Sequence, residues 1–125
     1  MQLGYLALIV AEIPRWIQVM IEKSEIDFAT FEHGQPKNGD ELVKYFDDNM
    51  ELGRKALQNL TDDMLTETFS LKNNGEVLMS TPKKESISQT INHLVHHRGQ
   101  LSVYMRLNDI AVSPIYGPSA DDKGF

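Results

Sequence analysis

Residues 91–101 read INHLVHHRGQL. The histidines at positions 93 and 97 lie four residues apart, and in a helix two such side chains leave the same face about 5–6 Å apart at Cβ. The apolar residues before and after them also recur at helical spacing, which predicts a helix from Ser80 or Thr81 to Leu107. The apolar face of this helix consists of Ile87, Ile91, Leu94, Leu101 and Met105.

His93 and His97 form a candidate pair of metal ligands. Two imidazole nitrogens one helical turn apart can converge on one ion, at about 2.0–2.1 Å from each. Such a pair also arises by chance as two half-buried or surface histidines, so a metal site needs a third ligand. His96 points about 100° away from His97 around the helix and is interpreted as a rim residue. Gln100 and Tyr104 either line a pocket beside the pair or are ordinary boundary residues.

The first helix is predicted over Leu3–Glu22, where apolar residues cover nearly the whole circumference, as in an interior helix. Pro14 lies inside it and predicts a kink or break nearby, because proline removes a backbone donor. Glu12 and Arg15 interrupt the apolar run before it could cross a bilayer, and no lysine or arginine precedes it. We therefore expect a buried helix of a soluble, cytoplasmic protein without a membrane partner.

A second helix is predicted to begin at Asn38, which is followed three residues later by Glu41 in a capping-box pattern. Gly53 occupies a gap in its apolar stripe. A glycine there weakens the helix but lets a neighbouring helix approach closely.

The connections between the helices contain less regular sequence. Residues 24–37 lose periodicity and predict a surface loop, in which His33 is interpreted as a solvated side chain. Residues 66–79, with Lys72-Asn73-Asn74-Gly75 at their centre, predict a small hairpin or an extended crossover.

Composition limits the possible functions. The 125 residues fit one domain, 1–125, with 41% hydrophobic and 24% charged residues, the balance of a folded globular protein. The net charge of -6 argues against a nucleic-acid partner, which requires a basic surface. Because no cysteine occurs, any metal must be held by nitrogen and oxygen.

Three segments together resemble the DinB/YfiT-like family: residues 91–107, the tail IYGPSAD at 115–121, and LALIVAEIPRW at 6–16. The likeness extends over essentially the whole chain. It implies an all-α fold, an antiparallel four-helix bundle of the up-down type. It also implies a divalent metal, nickel or zinc, bound by three histidines with open positions for water or substrate.

The chain departs from the family pattern at one ligand. His93 and His97 match two of the family's histidines, whereas the third falls at the position of Ile9, which cannot bind a metal. Glu12, one turn further on, would give a two-histidine, one-carboxylate set if it reached the ion. Otherwise Glu12 is a structural residue facing polar neighbours.

Family members usually have another long helix before the segment that resembles residues 1–16. The resemblance therefore predicts an N-terminally incomplete bundle, with about three long helices and a short extended crossover. The missing helix would leave an apolar groove along residues 3–21 and the second helix. Either the chain is truncated, or a second copy fills the groove and the protein is a homodimer.

Two functions follow from these observations. In the first, the chain is a metal-dependent enzyme of the thiol-transferase or hydrolase type, with a small-molecule thiol as substrate and Gln100 and Tyr104 lining the pocket. In the second, it is a catalytically impaired dimerisation or binding module without a complete metal site. The histidine pair favours the first function and Ile9 favours the second.

Overall fold

The computed structural model of the chain describes residues 1–123, so the last two residues of the predicted domain lie outside it. Within these residues the elements are α1 (Leu3–Glu22), β1 (Glu25–Asp27), α2 (Gly39–Gln58), α3 (Asp62–Thr66), β2 (Thr68–Asn73), β3 (Glu76–Pro82) and α4 (Lys83–Leu107). Three long helices are present, as predicted. The four-helix bundle itself stays a prediction.

The first helix, α1, is the central element and packs against both α2 and α4. Its side chains Leu6, Ile13 and Ile21 are at most 2% exposed. By length and mean hydropathy α1 could also cross a membrane. This is weak evidence for a membrane span, since the core helix of a soluble protein passes the same test.

Pro14 and Gly53 meet where α1 and α2 are closest. A Cβ atom on Gly53 would lie 2.8 Å from the backbone oxygen of Pro14, a distance that real Cβ contacts do not reach. The predicted close approach at Gly53 is therefore confirmed. Helix α1 continues through Pro14 without interruption, so no break occurs there, and a kink stays a prediction.

Asn38 caps α2 as predicted. Its side-chain oxygen accepts a hydrogen bond from the backbone N–H of Glu41 at 2.9 Å, and its amide nitrogen donates to the Glu41 carboxylate at 3.3 Å. The sequence pattern identified this helix start because the cap involves only residues close in the chain.

The fold is mostly helical, as predicted, but the connections form a small three-stranded sheet in the order β1-β2-β3 where the sequence predicted only a short extended crossover. Strands β2 and β3 form the predicted hairpin, whose turn residues Asn74 and Gly75 have φ angles of 51° and 81°. Both angles are positive, as a two-residue hairpin turn of type I′ requires. Strand β1 pairs in parallel with β2 and lies in the segment predicted to be a loop.

The start of α4 also differs from the prediction. Strand β3 continues to Pro82, which pairs with Thr68, and α4 begins at Lys83 rather than at Ser80 or Thr81. Pairing with β2 keeps these residues extended. Pro82 itself has φ -56° and ψ 144°, so it directly precedes the helix and does not occupy its first turn.

An apolar groove of about 320 Å³ runs between the three long helices. On its rim, Leu57 of α2 and Ile91 of α4 are each 48% exposed. The groove is also lined by Ile13, Pro14, Ile17, Met50, Gly53, Arg54 and Leu94. It lies where the sequence predicts an uncovered apolar surface along the first two helices.

Asp27 at the end of β1 holds the hairpin turn. Its carboxylate accepts hydrogen bonds from the backbone N–H groups of Gly75 at 2.7 Å, Ala29 at 2.9 Å and Asn74 at 3.0 Å. These bonds, with the Gly75 bond the strongest contribution and the charge of Lys72 a smaller one, lower the pKa of Asp27. The ionised carboxylate therefore stabilises the turn.

We expect Asp27→Asn to lower the free energy of unfolding more at pH 7 than at pH 2. Because the folded-state pKa is below the unfolded value of about 3.9, the stabilisation is fully present above that value and is lost as the pH falls through the folded pKa. Urea unfolding at both pH values measures the difference. Asp47→Asn, on the exposed side of α2, is the control and should show a smaller pH dependence. Equal losses at both pH values for Asp27→Asn would contradict the assigned role.

Candidate metal centre

The histidine pair on α4 converges on a single point. Nε2 of His93 and Nε2 of His97 lie 2.6 Å apart, and the ring centroids are 4.4 Å apart. His97 is 6% exposed, whereas His93 is exposed on the outer side. One imidazole is therefore held in the interior and the other lies at the solvent boundary.

Each ring is oriented by a neighbouring side chain. Nδ1 of His97 lies 2.8 Å from the side-chain oxygen of Gln100. Because that amide oxygen can only accept, Nδ1 of His97 is the donor and Nε2 keeps its lone pair. The ring of His93 stacks on Trp16 of α1 with a centroid distance of 5.8 Å.

The electrostatics of the site favour a neutral imidazole at His93. Partial burial lowers the pKa of His93, and the adjacent His97 and His96 lower it further. A lower pKa means that His93 is deprotonated at neutral pH, the state that binds a metal.

The two nitrogens lie closer together than two ligands of one zinc-like ion. Ligand atoms at about 2.0–2.1 Å from the ion, at angles between 90° and tetrahedral, are about 2.9–3.4 Å apart. The observed separation of 2.6 Å between the two nitrogens is about 0.3–0.8 Å shorter than this range. A rotation of the His93 ring that separates the two nitrogens by this amount would be needed for both to bind one ion.

The register of α1 against α4 indicates which residue faces His97. The helices are antiparallel, because Tyr104 donates from its hydroxyl to the backbone oxygen of Met1 at 2.8 Å while His93 contacts Trp16. At equal rise per residue, His97 then lies opposite about positions 8 to 12 of α1. Ile9 falls in this range, is 9% exposed, and precedes Trp16 by two helical turns on the same face.

Glu12 also falls in this range, but its carboxylate is bonded elsewhere. One oxygen accepts from the backbone N–H of Gly34 at 2.8 Å and from the hydroxyl of Tyr45 at 3.2 Å. The other lies 2.7 Å from Nδ1 of His33. No group of three or more histidine, aspartate and glutamate side chains suited to hold a metal occurs among residues 1–123. Glu12 and the histidine pair are thus not assembled into one ligand set.

One other residue, His33, differs from the sequence interpretation, and Tyr104 lies apart from the histidine pair. His33 was interpreted as a solvated loop residue, yet it is half-exposed at 47% and bonded to the buried Glu12, which is 1% exposed. No local pattern predicts this bond, since 21 residues separate the partners. Tyr104 lies two turns from His97, about 10 Å along α4, and its hydroxyl holds the start of α1.

The chain is thus a mostly helical protein whose candidate site is a histidine pair on its last long helix. Its sequence matches the profile of the DinB family over residues 4–123, nearly its whole length. The chain belongs to the DinB family. Searches of curated proteins and of solved structures find no significant match.

Proposed function

We propose that the protein binds one divalent metal ion, zinc or nickel, through Nε2 of His93 and Nε2 of His97. The observation that carries this proposal is the convergence of the two nitrogens at 2.6 Å, with the His97 tautomer set by Gln100. Water and substrate would supply the remaining donors, because the resemblance implies a third ligand at the position of Ile9, which cannot bind a metal. Two protein ligands predict weaker binding than the three of most catalytic zinc sites.

The activity we propose is a metal-dependent thiol transfer or hydrolysis. A divalent ion held there would lower the pKa of a bound thiol or water and so generate a nucleophile. His93 and His97 would hold the ion, and Gln100 orients the ring of His97 by accepting a hydrogen bond from its Nδ1–H. Trp16 packs on His93 and shields one side of the pair from water.

Metal titration of the purified protein tests this function. We expect saturable binding of one zinc or nickel ion per chain by isothermal titration calorimetry. His93→Ala and His97→Ala should each weaken it by more than about tenfold, or 1.4 kcal/mol. His96→Ala removes a neighbouring imidazole, with its ring 5.1 Å from that of His97, and should leave the affinity nearly unchanged. Binding that is insensitive to both substitutions would exclude the pair as the site.

A second candidate function is a homodimeric binding module with an incomplete metal site. It is favoured by Ile9 and by the groove of about 320 Å³ between the long helices. In this proposal the groove of one copy packs against that of another, because an exposed apolar surface of this kind favours association.

The oligomeric state in solution tests the second candidate. For a homodimer, light scattering should give twice the chain mass, and Ile91→Lys in the groove should shift it towards the monomer. Val103→Lys is the matched control, since Val103 lies on α4 outside the groove and is 56% exposed. A monomer at all concentrations would contradict the dimer.

For both candidates we propose a cytoplasmic protein that binds neither nucleic acid nor membrane. The net charge of -6 opposes association with phosphate backbones and anionic lipid. The packing of α1 between α2 and α4 supports its interpretation as a core helix.

A further inference from the structure

A cavity of about 340 Å³ lies beside His93, between α1, α4 and the sheet. The fully buried ring of Phe69 lies on its wall. Phe28, Gln89 and His93 line it and are exposed to solvent, so they form its mouth. Since a dry cavity of about 150 Å³ accommodates benzene, this cavity has room for one or two fused rings.

The inner wall of the cavity is aromatic and adaptable. Its aromatic rings come from Trp16 on α1, Phe31 in the segment after β1 and Phe69 on β2, with Phe28 at the mouth. Met20 and Met79 contribute thioether side chains, which adjust their shape and contact ring edges favourably. Such a wall suits a flat aromatic ligand, which gains from offset or edge-to-face contacts.

No charged side chain lines the cavity within residues 1–123. An ionised ligand would lose its hydration there without an opposite charge, so the cavity selects neutral molecules. Its polar groups all come from one face of α4: Ser86, Gln89, Thr90 and His93. The Ser86 hydroxyl already bonds that of Thr81 at 2.7 Å, and the Thr90 hydroxyl donates to Sδ of Met20 at 3.5 Å. Gln89 and His93 at the mouth are therefore left to meet a polar group of a ligand.

From this geometry we propose that the cavity is a binding site for a small neutral molecule with one or two aromatic rings and one uncharged polar group. The rings lie between Trp16 and Phe69, and the polar group points to Gln89 and His93. Binding itself requires no metal. Because this ligand would lie beside His93, it would be the substrate of the metal centre. This part of the proposal rests on the function proposed above.

Titration with 2-naphthol, in the presence of a chelator, tests the proposal. We expect one saturable site by calorimetry and at least tenfold weaker binding of 2-naphthoate, which has the same rings and a negative charge. Trp16 is the sole tryptophan, so its indole N–H gives one unambiguous NMR resonance. This resonance should shift with the same saturation curve. No saturable binding, equal affinity for the two probes, or an unmoved Trp16 resonance would overturn the proposal.

Two tryptophan substitutions on β3 locate the site. Met79→Trp fills the cavity and should weaken 2-naphthol binding at least tenfold, whereas Leu78→Trp should not. Leu78 adjoins Met79 but is 56% exposed and does not line the cavity. Equal affinity for Met79→Trp and the wild type would overturn the proposal. If circular dichroism shows that Met79→Trp is unfolded, the Trp16 resonance of the wild type decides the question.

Zinc titration of a chelator-free sample separates this proposal from the metal centre. Binding of 2-naphthol without any zinc binding would refute the metal function and support the cavity as an independent site. Zinc binding at the histidines without binding of 2-naphthol would refute the cavity proposal alone.

Discussion

Ile9→His is expected to tighten zinc binding about 100-fold or more. The loss of an outer-shell partner alone typically changes metal affinity 10- to 100-fold, and a direct ligand contributes more. Ile9 is 9% exposed and lies within positions 8 to 12 of α1, the stretch that the antiparallel register sets opposite His97. A histidine there would complete the three-histidine set that the resemblance implies. Competition with a chromogenic zinc chelator measures the change.

Tyr5→His is the matched control for this gain. Tyr5 lies one helical turn before Ile9 on α1 and is 54% exposed, beyond the part of the helix that faces His97. We expect its zinc affinity to remain that of the wild type. If the two variants bind equally tightly, or if Ile9→His folds and gains nothing, position 9 does not face the pair.

Glu12→Ala is expected to lower the free energy of unfolding by about 3 kcal/mol. Glu12 is 1% exposed and accepts hydrogen bonds from Gly34 and Tyr45 in addition to its contact with His33. Removing the carboxylate leaves partly buried donors without a partner, and a fully buried donor left so costs about 1–3 kcal/mol. The loop that carries His33 and Gly34 would detach from α1. Urea unfolding followed by circular dichroism measures the loss.

Glu51→Ala provides the comparison for a glutamate on the surface. Its carboxylate lies 3.5 Å from Lys55 one turn along α2, and its side chain is 54% exposed. An exposed pair of this kind is worth no more than about 0.5 kcal/mol. A loss for Glu12→Ala as small as this would mean that the contacts of Glu12 do not hold the loop.

The parts of the fold that could be predicted depend on residues close in sequence. The Asn38 cap, the Asn74-Gly75 turn and the long helices all follow from local patterns, and the structure contains them. Strand β1 could not be predicted, because its three residues pair with β2 some 45 positions later. A strand this short carries no periodic signal of its own.

In the candidate site, too, contacts between residues close in sequence could be predicted and contacts between distant residues could not. The convergence of His93 and His97 follows from their spacing of four residues on one helix. Spacing gives no information on the residue across from them, and only the resemblance indicated Ile9. The bond between Glu12 and His33 depends on the path of a loop over α1, which no local pattern specifies.

The most direct test of the metal centre is anomalous diffraction at the zinc absorption edge from zinc-soaked crystals. We expect one peak per chain within about 2.0–2.1 Å of Nε2 of both His93 and His97. Absence of a peak between the two rings, or zinc bound only at other residues, would contradict the central claim that this pair holds the ion.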